Sequence, residues 1–534
     1  MNQTIEILIF LPSVIVAVSV IAERLKTPPA ILLVLTGVIL ALIPGLPTVT
    51  LAPSFVLLAV LPPIIYSSAV AMSWREFRFN IRPISLLATG CVVFTTVAAA
   101  AAAHWLLRLS WAEGFVLGAI VSPPDAVAPL AIARKMQLPR RILVVLEGEG
   151  LANDATALVL YRFAVGAVSA GVFSMGEALQ TFALITVGEI VWGLMVGWGM
   201  LRLRRWVRNP RIEIMLSVLT PFIAYWPPEH LGGSGVLATV VTGLYISWNG
   251  LRLISPATRL QGIFFWDFLI YLTEGMVFLI TGLQARALVN HFTGYSPAQL
   301  AVSALTVCGV VIAARFLWMY PATYLPRWIS PRLARRDPSP PWQWPFAIAF
   351  TGIRGIVSLA AALAIPLTID NGQAFPHRDL ILFLTFSVIL VTLVVQGLLF
   401  PGVIRVLGLA NAGHREHEIE RHEEFAARRE AMKAALVRLA VLEKERELPQ
   451  EVVGPLRVAQ IDRLAYIEHA SNGSAAHRRF TLLYDDVEAQ LLAAERDLVN
   501  ELYRLGKIQD EPRRRVERAL DLRDAYLANL RAGD

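Results

Sequence analysis

Three stretches of the chain hold residues whose types and spacing could do chemistry: "SPPDAVAP" at 122–129, "EGEGLANDATALVLY" at 147–161 and "FTGIRGIVS" at 350–358. Each puts ionisable side chains inside otherwise apolar sequence. Asp125 and Asp154 can each hold a proton or give oxygens to a hard cation such as Na⁺. Burial favours the proton-bound form and a nearby cation the ionised one, so proton and cation compete for a single anionic site. Asn153 offers an amide that hydrogen-bonds but does not titrate.

That chemistry depends on what surrounds it. The 534 residues are 56% hydrophobic and 17% charged, with a mean hydropathy of +0.57, which is outside the range of soluble domains. Runs long enough to cross a hydrocarbon core of ~30 Å as helix fall at about 5–22, 30–48, 51–72, 83–107, 113–133, 142–169, 178–201, 212–227, 232–248, 262–285, 298–325, 343–366 and 380–404. The expected fold is therefore an all-α polytopic membrane domain of about thirteen helices over residues 1–404, followed by a cytoplasmic helical domain over 405–534. None of the runs reads as a cleaved signal peptide.

Loop charges set the orientation. Alternate loops carry Arg24 and Lys26; Arg75, Arg78 and Arg82; Arg134, Lys135, Arg140 and Arg141; Arg202, Arg204, Arg205, Arg208 and Arg211; Arg252 and Arg259; and Arg327, Arg332, Arg335 and Arg336. The intervening loops offer only Arg108, Arg286 and Arg378. The positive-inside rule places the N-terminus outside and the C-terminal tail in the cytoplasm. Through residue 404 the chain has 26 Lys and Arg against 17 Asp and Glu, a net +9, whereas the tail has 22 against 24, a net −2. The basic balance thus belongs to topology-setting loops, and no nucleic-acid partner is called for. Cys91 and Cys308, each inside a run, read as small apolar residues without a disulfide or metal role.

Depth follows from these assignments. Asp154 lies about 20 Å along a helix entering at Arg141, and Asp125 about 13 Å from Arg134. Both are near the midplane, where an ionised carboxylate needs a partner, a proton or a water-filled cavity. Arg162, Arg315 and Arg354 are available as structural partners. Pro123, Pro124 and Pro129 cannot all be accommodated in an unbroken fifth span, and Gly352 and Gly355 weaken the twelfth around Arg354. Irregular backbone at membrane depth is tolerated where it is buried in protein or lines a cavity. The fifth span of spans one to six and the fifth of spans eight to thirteen are both broken. An offset of seven spans inverts one six-helix half relative to the other, and interrupted helices at matching places in inverted repeats point to a transporter's midplane site.

"LPPIIYSSA", "SPPDAVAP", "EGEGLANDATALVLY", "TEGMVFLITGL" and "GIRGIVSLAAAL", in that order, together resemble the monovalent cation/proton antiporter class that contains bacterial Na⁺/H⁺ antiporters and animal Na⁺/H⁺ exchangers. The resemblance covers roughly residues 10 to 405. It implies that Asp154 is the ion carrier, with Asn153 before it and Asp125 on the unwound fifth span, so that a transported Na⁺ is held transiently by Asp154 and Asp125. It further implies a structural ion pair between Glu149 and Arg354, and a homodimer whose core bundle moves against a dimerisation bundle. The chain departs from the family's pattern in three places, each of which loses a carboxylate or a hydroxyl: Tyr66, Ser67 and Ser68 stand where relatives often carry an acid, Pro124 where many have a hydroxyl, and Gly150 where many have Ser.

The activity so implied is secondary active antiport of a monovalent cation, Na⁺ in first place and K⁺ or Li⁺ as alternatives, for H⁺ across the cell membrane. It is not enzymatic and uses no cofactor. Asn153 leaves one titrating residue in the Asn-Asp pair, so exchange is expected to be electroneutral. The parts of Glu147 and Glu274 stay open. Two readings come from other classes: a channel or sensor on the same scaffold, and an intramembrane aspartyl protease. No GxGD sequence surrounds Asp125 or Asp154, and a protease leaves Arg354 and the matching broken spans unexplained. In the tail, the charged segments around "HREHEIERHEEF" and "VEAQLLAAERDL" read as two or three amphipathic helices for packing and assembly. His414, His417 and His422 there read as solvent-facing.

Overall fold

The computed structural model describes residues 2–44, 52–170, 175–207, 209–250, 253–286, 296–370, 372–471 and 475–531. Arg208 and Arg252 of the charged loops, and the centre of the "HASNGSAAH" segment, lie outside them. Contacts divide the chain into two compact units, Met1–Gly413 and His414–Asp534.

Within the first unit the helices are α1 (Asn2–Leu25), α2 (Pro29–Ala41), α3 (Pro53–Ala71), α4 (Trp74–Phe79), α5 (Ile81–Leu107), α6 (Trp111–Val121), α7 (Val127–Lys135), α8 (Arg140–Ala170), α9 (Met175–Arg204), α10 (Pro210–His230), α11 (Val236–Asn249), α12 (Pro256–Leu283), α13 (Pro297–Ile329), α14 (Pro331–Arg336), α15 (Gln343–Phe350), α16 (Ile356–Leu363) and α17 (Arg378–Val406). Among the described residues, six have the length and apolarity to cross a membrane: α3, α5, α12, α13, α17 and the Gln180–Arg204 part of α9. The 31-residue α8 is long enough but carries Glu147, Glu149, Asp154 and Arg162 within it, so its hydropathy is diluted by the residues of interest.

Packing supplies what mean hydropathy does not. Helices α2 and α12 touch through Gly37 and Gly282, where a Cβ on Gly37 would come within 2.3 Å of the Leu279 carbonyl oxygen and one on Gly282 within 2.2 Å of that of Val34. Small residues of this kind let membrane helices approach backbone to backbone. One buried cluster joins Ile15, Ile31, Val60, Leu279, Ile353 and Leu393. A second joins Ala103, Leu117, Ala164, Val311, Ile365 and Leu384. Between them these clusters enclose the segments that follow α6 and α15.

Those segments are the two breaks in the helical pattern. Helix α6 starts at a capping box, with Ser110 and Glu113 satisfying each other's backbone N–H groups, and ends where Pro123 and Pro124 can donate no hydrogen bond. Pro129 then falls in the first turn of α7, where a missing N–H costs nothing. The run at 343–366 is likewise two helices, α15 and α16, of 8 residues each. Midway along, α17 contains a π-helical turn over Val391–Gln396, an insertion that is common at functional sites.

The first unit reaches past residue 404 because Leu409 belongs to a buried cluster with Phe400 and Ile404. The second unit consists of the remainder of a helix spanning Leu409–Glu445 and of Gln450–Ser471, Ala475–Arg504 and Asp510–Arg531. Leu492, Leu520 and Leu527 form a small apolar contact there, framed by Arg523–Glu488 at 2.8 Å and Arg496–Asp521 at 2.9 Å. His414, His417 and His422 are not buried, and among the described residues no cluster of three or more His, Cys, Asp or Glu could hold a metal ion.

Candidate ion-exchange site

The two unwound segments cross and are tied to each other. The Asp125 backbone N–H donates to the Ile353 carbonyl at 2.7 Å, and the Arg354 Nε donates to the Val121 carbonyl at 2.9 Å. Arg354 also donates to the Gly352 carbonyl, and its backbone N–H reaches Thr392 Oγ1 in the π-helical turn at 3.0 Å. The ends of the four half-helices are thereby matched to charge. Val121 and Gly352 are at the carbonyl ends of α6 and α15, where a cation is favoured, and Arg354 sits between them. At the opposite polarity, Asp125 Oδ1 accepts from the Val127 N–H at the start of α7 at 2.9 Å. Its other carboxyl oxygen lies against Gly355, at the start of α16. A Cβ on Gly355 would come within 1.8 Å of Asp125 Oδ2, so the crossing closes only around glycine.

Asn153 adds a further tie. Its Nδ2 donates to the Pro124 carbonyl at 2.6 Å, while its Oδ1 is buried without a partner. The Asn of the Asn-Asp pair thus holds the unwound fifth span against α8. Next to it, Asp154 is half-buried and makes no hydrogen bond or ion pair among the described residues.

Asp154 and Asp125 line one cavity of about 380 Å³. Glu274 of α12, Ser67 and Ser68 of α3 and Ser358 of α16 line it as well. Ser358 Oγ is buried with no partner. Nothing in the sequence singles out Ser358, a lone hydroxyl a turn after Gly355. Further along the wall are Asp267 and the pair Arg134–Glu147, at 3.1 Å. Glu147 precedes Asp154 by two helical turns on the same face of α8, about 10 Å away along the axis.

The expected pair of Glu149 with Arg354 is not what forms. Arg315 of α13 takes Glu149 in a two-pronged contact, Nη1 to Oε1 at 2.5 Å and Nη2 to Oε2 at 2.8 Å, with both side chains 2% exposed. Arg315 also donates to the Ile348 carbonyl near the end of α15 at 3.1 Å. The reason is local: free carbonyls of the unwound backbone occupy the Arg354 guanidinium, whereas Arg315 on a regular helix presents its planar fork to a carboxylate. Arg315 is legible in the sequence as an arginine inside an otherwise apolar span, but its partner is not. Arg162, the third candidate, pairs with Glu229 and donates to the Gly233 carbonyl at 2.6 Å.

The chain is similar to known membrane transporters in sequence and in fold. A family model described as the transmembrane sodium/hydrogen exchanger matches residues 10–406. An uncharacterized Na⁺/H⁺ exchanger of Mycobacterium tuberculosis is 34% identical over 527 residues, covering 98% of this chain and 96% of its own. A sodium, potassium, lithium and rubidium/H⁺ antiporter of Bacillus subtilis is 33% identical over 342 residues, 61% of this chain and 50% of its own. The solved structure of the sodium proton antiporter MjNhaP1 from Methanocaldococcus jannaschii has the same fold, with a TM-score of 0.60 at 19% identity over 76% of this chain and 99% of that one. With 34% identity to an exchanger over nearly its full length and a family match across its membrane unit, the chain belongs to the sodium/hydrogen exchanger family, multi-pass secondary transporters that exchange monovalent cations for protons.

Proposed function

We propose that the protein exchanges Na⁺ for H⁺ at Asp154, one for one, by competition of the two ions for its carboxylate. The observation that carries this reading is Asp154 itself: a carboxylate at membrane depth, without a partner among the described residues, on the wall of a cavity bounded by crossed half-helices. An unpaired carboxylate there is stable only with a proton or a cation bound. Asp125, the hydroxyls of Ser67, Ser68 and Ser358, water and free carbonyls are the oxygens available to a hard cation. If the proton-loaded and cation-loaded forms cross and the empty charged form does not, each ion's gradient drives the other.

The cavity's charged wall at Arg134 and Glu147 lies at the loop end of α8. Under the positive-inside rule that end is cytoplasmic, which makes this an inward-facing state, with the N-terminus outside and the C-terminal unit inside. The assembly is a homodimer in the plasma or inner membrane, with residues 1–404 as the transport domain and 405–534 as the cytoplasmic domain. K⁺ and Li⁺ are second-rank substrates, favoured by the cation range in the name of the Bacillus subtilis relative.

Proteoliposomes with an imposed pH gradient test the proposal. Na⁺ should dissipate the gradient, Li⁺ and K⁺ less well, and Asp154→Asn should abolish the response while leaving insertion and the elution profile unchanged. Full cation-dependent proton flux in a well-folded Asp154→Asn protein would remove Asp154 from its role.

A further inference from the structure

Helix α8 has cavities on two faces. Glu147, Gly150, Leu151 and Asp154 line the ion cavity, whereas Ala152, Ala155, Thr156 and Val159, on the opposite side of the helix, line a separate space of about 690 Å³. This second space lies between α8 and α5 on one side and α9 and α11 on the other. Its walls are largely apolar, with Phe77, Ile84, Ile185, Leu237, Val241 and Leu244 among them. Exposed Ile81, Ile190, Leu194 and Trp248 form its rim, so it opens on the surface that faces the bilayer.

The charged group inside it is already satisfied. Glu189 Oε1 accepts from the N–H groups of Ser234 at 2.7 Å and Gly235 at 3.1 Å, and Oε2 from those of Leu237 at 3.0 Å and Ala238 at 3.3 Å. That carboxylate caps α11 and leaves the groove apolar in character. On α9 the lining runs from Phe182 to Leu194, about 18 Å of helix. Opposite, it runs from Ser234, just before α11, to Asn249 at that helix's end, about 22 Å; both lengths exceed half of a ~30 Å hydrocarbon core, so the groove is deep enough for one leaflet's acyl chain.

At its Tyr245 and Asn249 end the groove adjoins a smaller cavity of about 290 Å³, which shares those two residues and adds Trp198, Arg202 and Arg205. The Arg202 guanidinium lies 5.3 Å from the Trp198 ring. Neither Arg202 nor Arg205 has an acidic partner among the described residues. A cationic pocket at a membrane edge, continuous with an apolar groove one leaflet deep, is complementary to one molecule in both charge and shape. We propose that the composite cavity binds an anionic phospholipid, its phosphate on Arg202 and Arg205 and one acyl chain in the groove behind Asp154's helix.

Full-length protein in a neutral detergent tests this by thermal unfolding and native mass spectrometry. Phosphatidylglycerol should raise the melting temperature and remain bound, whereas phosphatidylcholine with the same chains should do neither. In Arg202→Gln/Arg205→Gln, phosphatidylglycerol retention should weaken roughly thirtyfold, and Thr186→Phe, which narrows the groove away from both arginines, should also lose it. Arg332→Gln/Arg335→Gln, which removes exposed charge on α14 outside the lining of either cavity, should retain it. Equal stabilisation by phosphatidylcholine, undiminished retention in the Arg202/Arg205 or Thr186 variant, equal loss in the Arg332/Arg335 control, or an effect reproduced by glycerol 3-phosphate alone would overturn the proposal. Should the Arg202/Arg205 variant not fold, wild-type protein that releases no bound anionic phospholipid on dissociation would overturn it equally.

Discussion

Glu149 and Arg315 are buried and neutralise each other, whereas Asp154, half-buried five residues beyond Glu149 on the same helix, has no partner among the described residues. The contrast separates structural charge from working charge. Removing one partner of a buried, hydrogen-bonded pair strands the other and typically costs ~3–5 kcal/mol. Arg315→Ala is therefore expected to unfold at markedly lower temperature than wild type. Arg315→Lys, which keeps the charge but not the fork, should fall in between. A melting temperature for Arg315→Ala within a degree or two of wild type, measured in the same detergent, would show that the pair is dispensable. Asp154 and Asp125 stand out in the sequence as candidates because a carboxylate in an apolar run, with prolines nearby to break the helix, is costly to keep for packing alone, and the structure places both on one cavity wall. The Glu149 partner does not stand out, because three arginines at similar depth are available and only the chain path selects among them.

Elements do for the site what single residues cannot. The breaks after α6 and α15 are legible from Pro123, Pro124, Gly352 and Gly355. That the segments cross, exchange hydrogen bonds and leave room only for Gly355 beside Asp125 is a tertiary fact with no sequence signal. Asp337 is similarly hidden, as a lone acid in an arginine-rich loop. In the structure Arg82 of α5, Arg141 of α8 and Arg327 of α13 all converge on it, at 2.7, 2.8 and 2.8 Å, which ties three membrane helices together outside the bilayer. Burial alone would raise the Asp337 pKa, but contact with Arg141 and the charges of Arg141, Arg327 and Arg82 hold it below the ordinary carboxylate value. A depressed pKa contributes stability that is present above the unfolded value of ~3.9 and disappears as pH falls through the lower, folded one. Asp337→Asn should accordingly be less stable than wild type at neutral pH, with the gap closing as the pH is taken below ~4. A gap that is the same at neutral pH and in acid would mean the carboxylate's charge is not what clamps the helices.

For the whole molecule, the question is how much charge moves in a cycle. Asn153 is bound to the Pro124 carbonyl and cannot titrate, so under the proposed mechanism Asp154 alone alternates between one H⁺ and one cation, and no net charge would cross. A moving elementary charge would feel about 2.3 kcal/mol per 100 mV. Exchange in proteoliposomes should therefore be unchanged by a K⁺/valinomycin potential. Voltage-dependent flux would mean that a second carboxylate on the cavity wall, Glu274 or Asp125, titrates in the cycle. The one measurement that reaches the central claim most directly is proton release on cation binding, followed with a pH indicator in weakly buffered detergent solution below the pH at which Asp154 ionises. Competition for a single carboxylate predicts that Na⁺ releases close to one proton per bound ion from wild type and none from Asp154→Asn. Na⁺ binding to wild type without proton release, or equal release from Asp154→Asn, would contradict it.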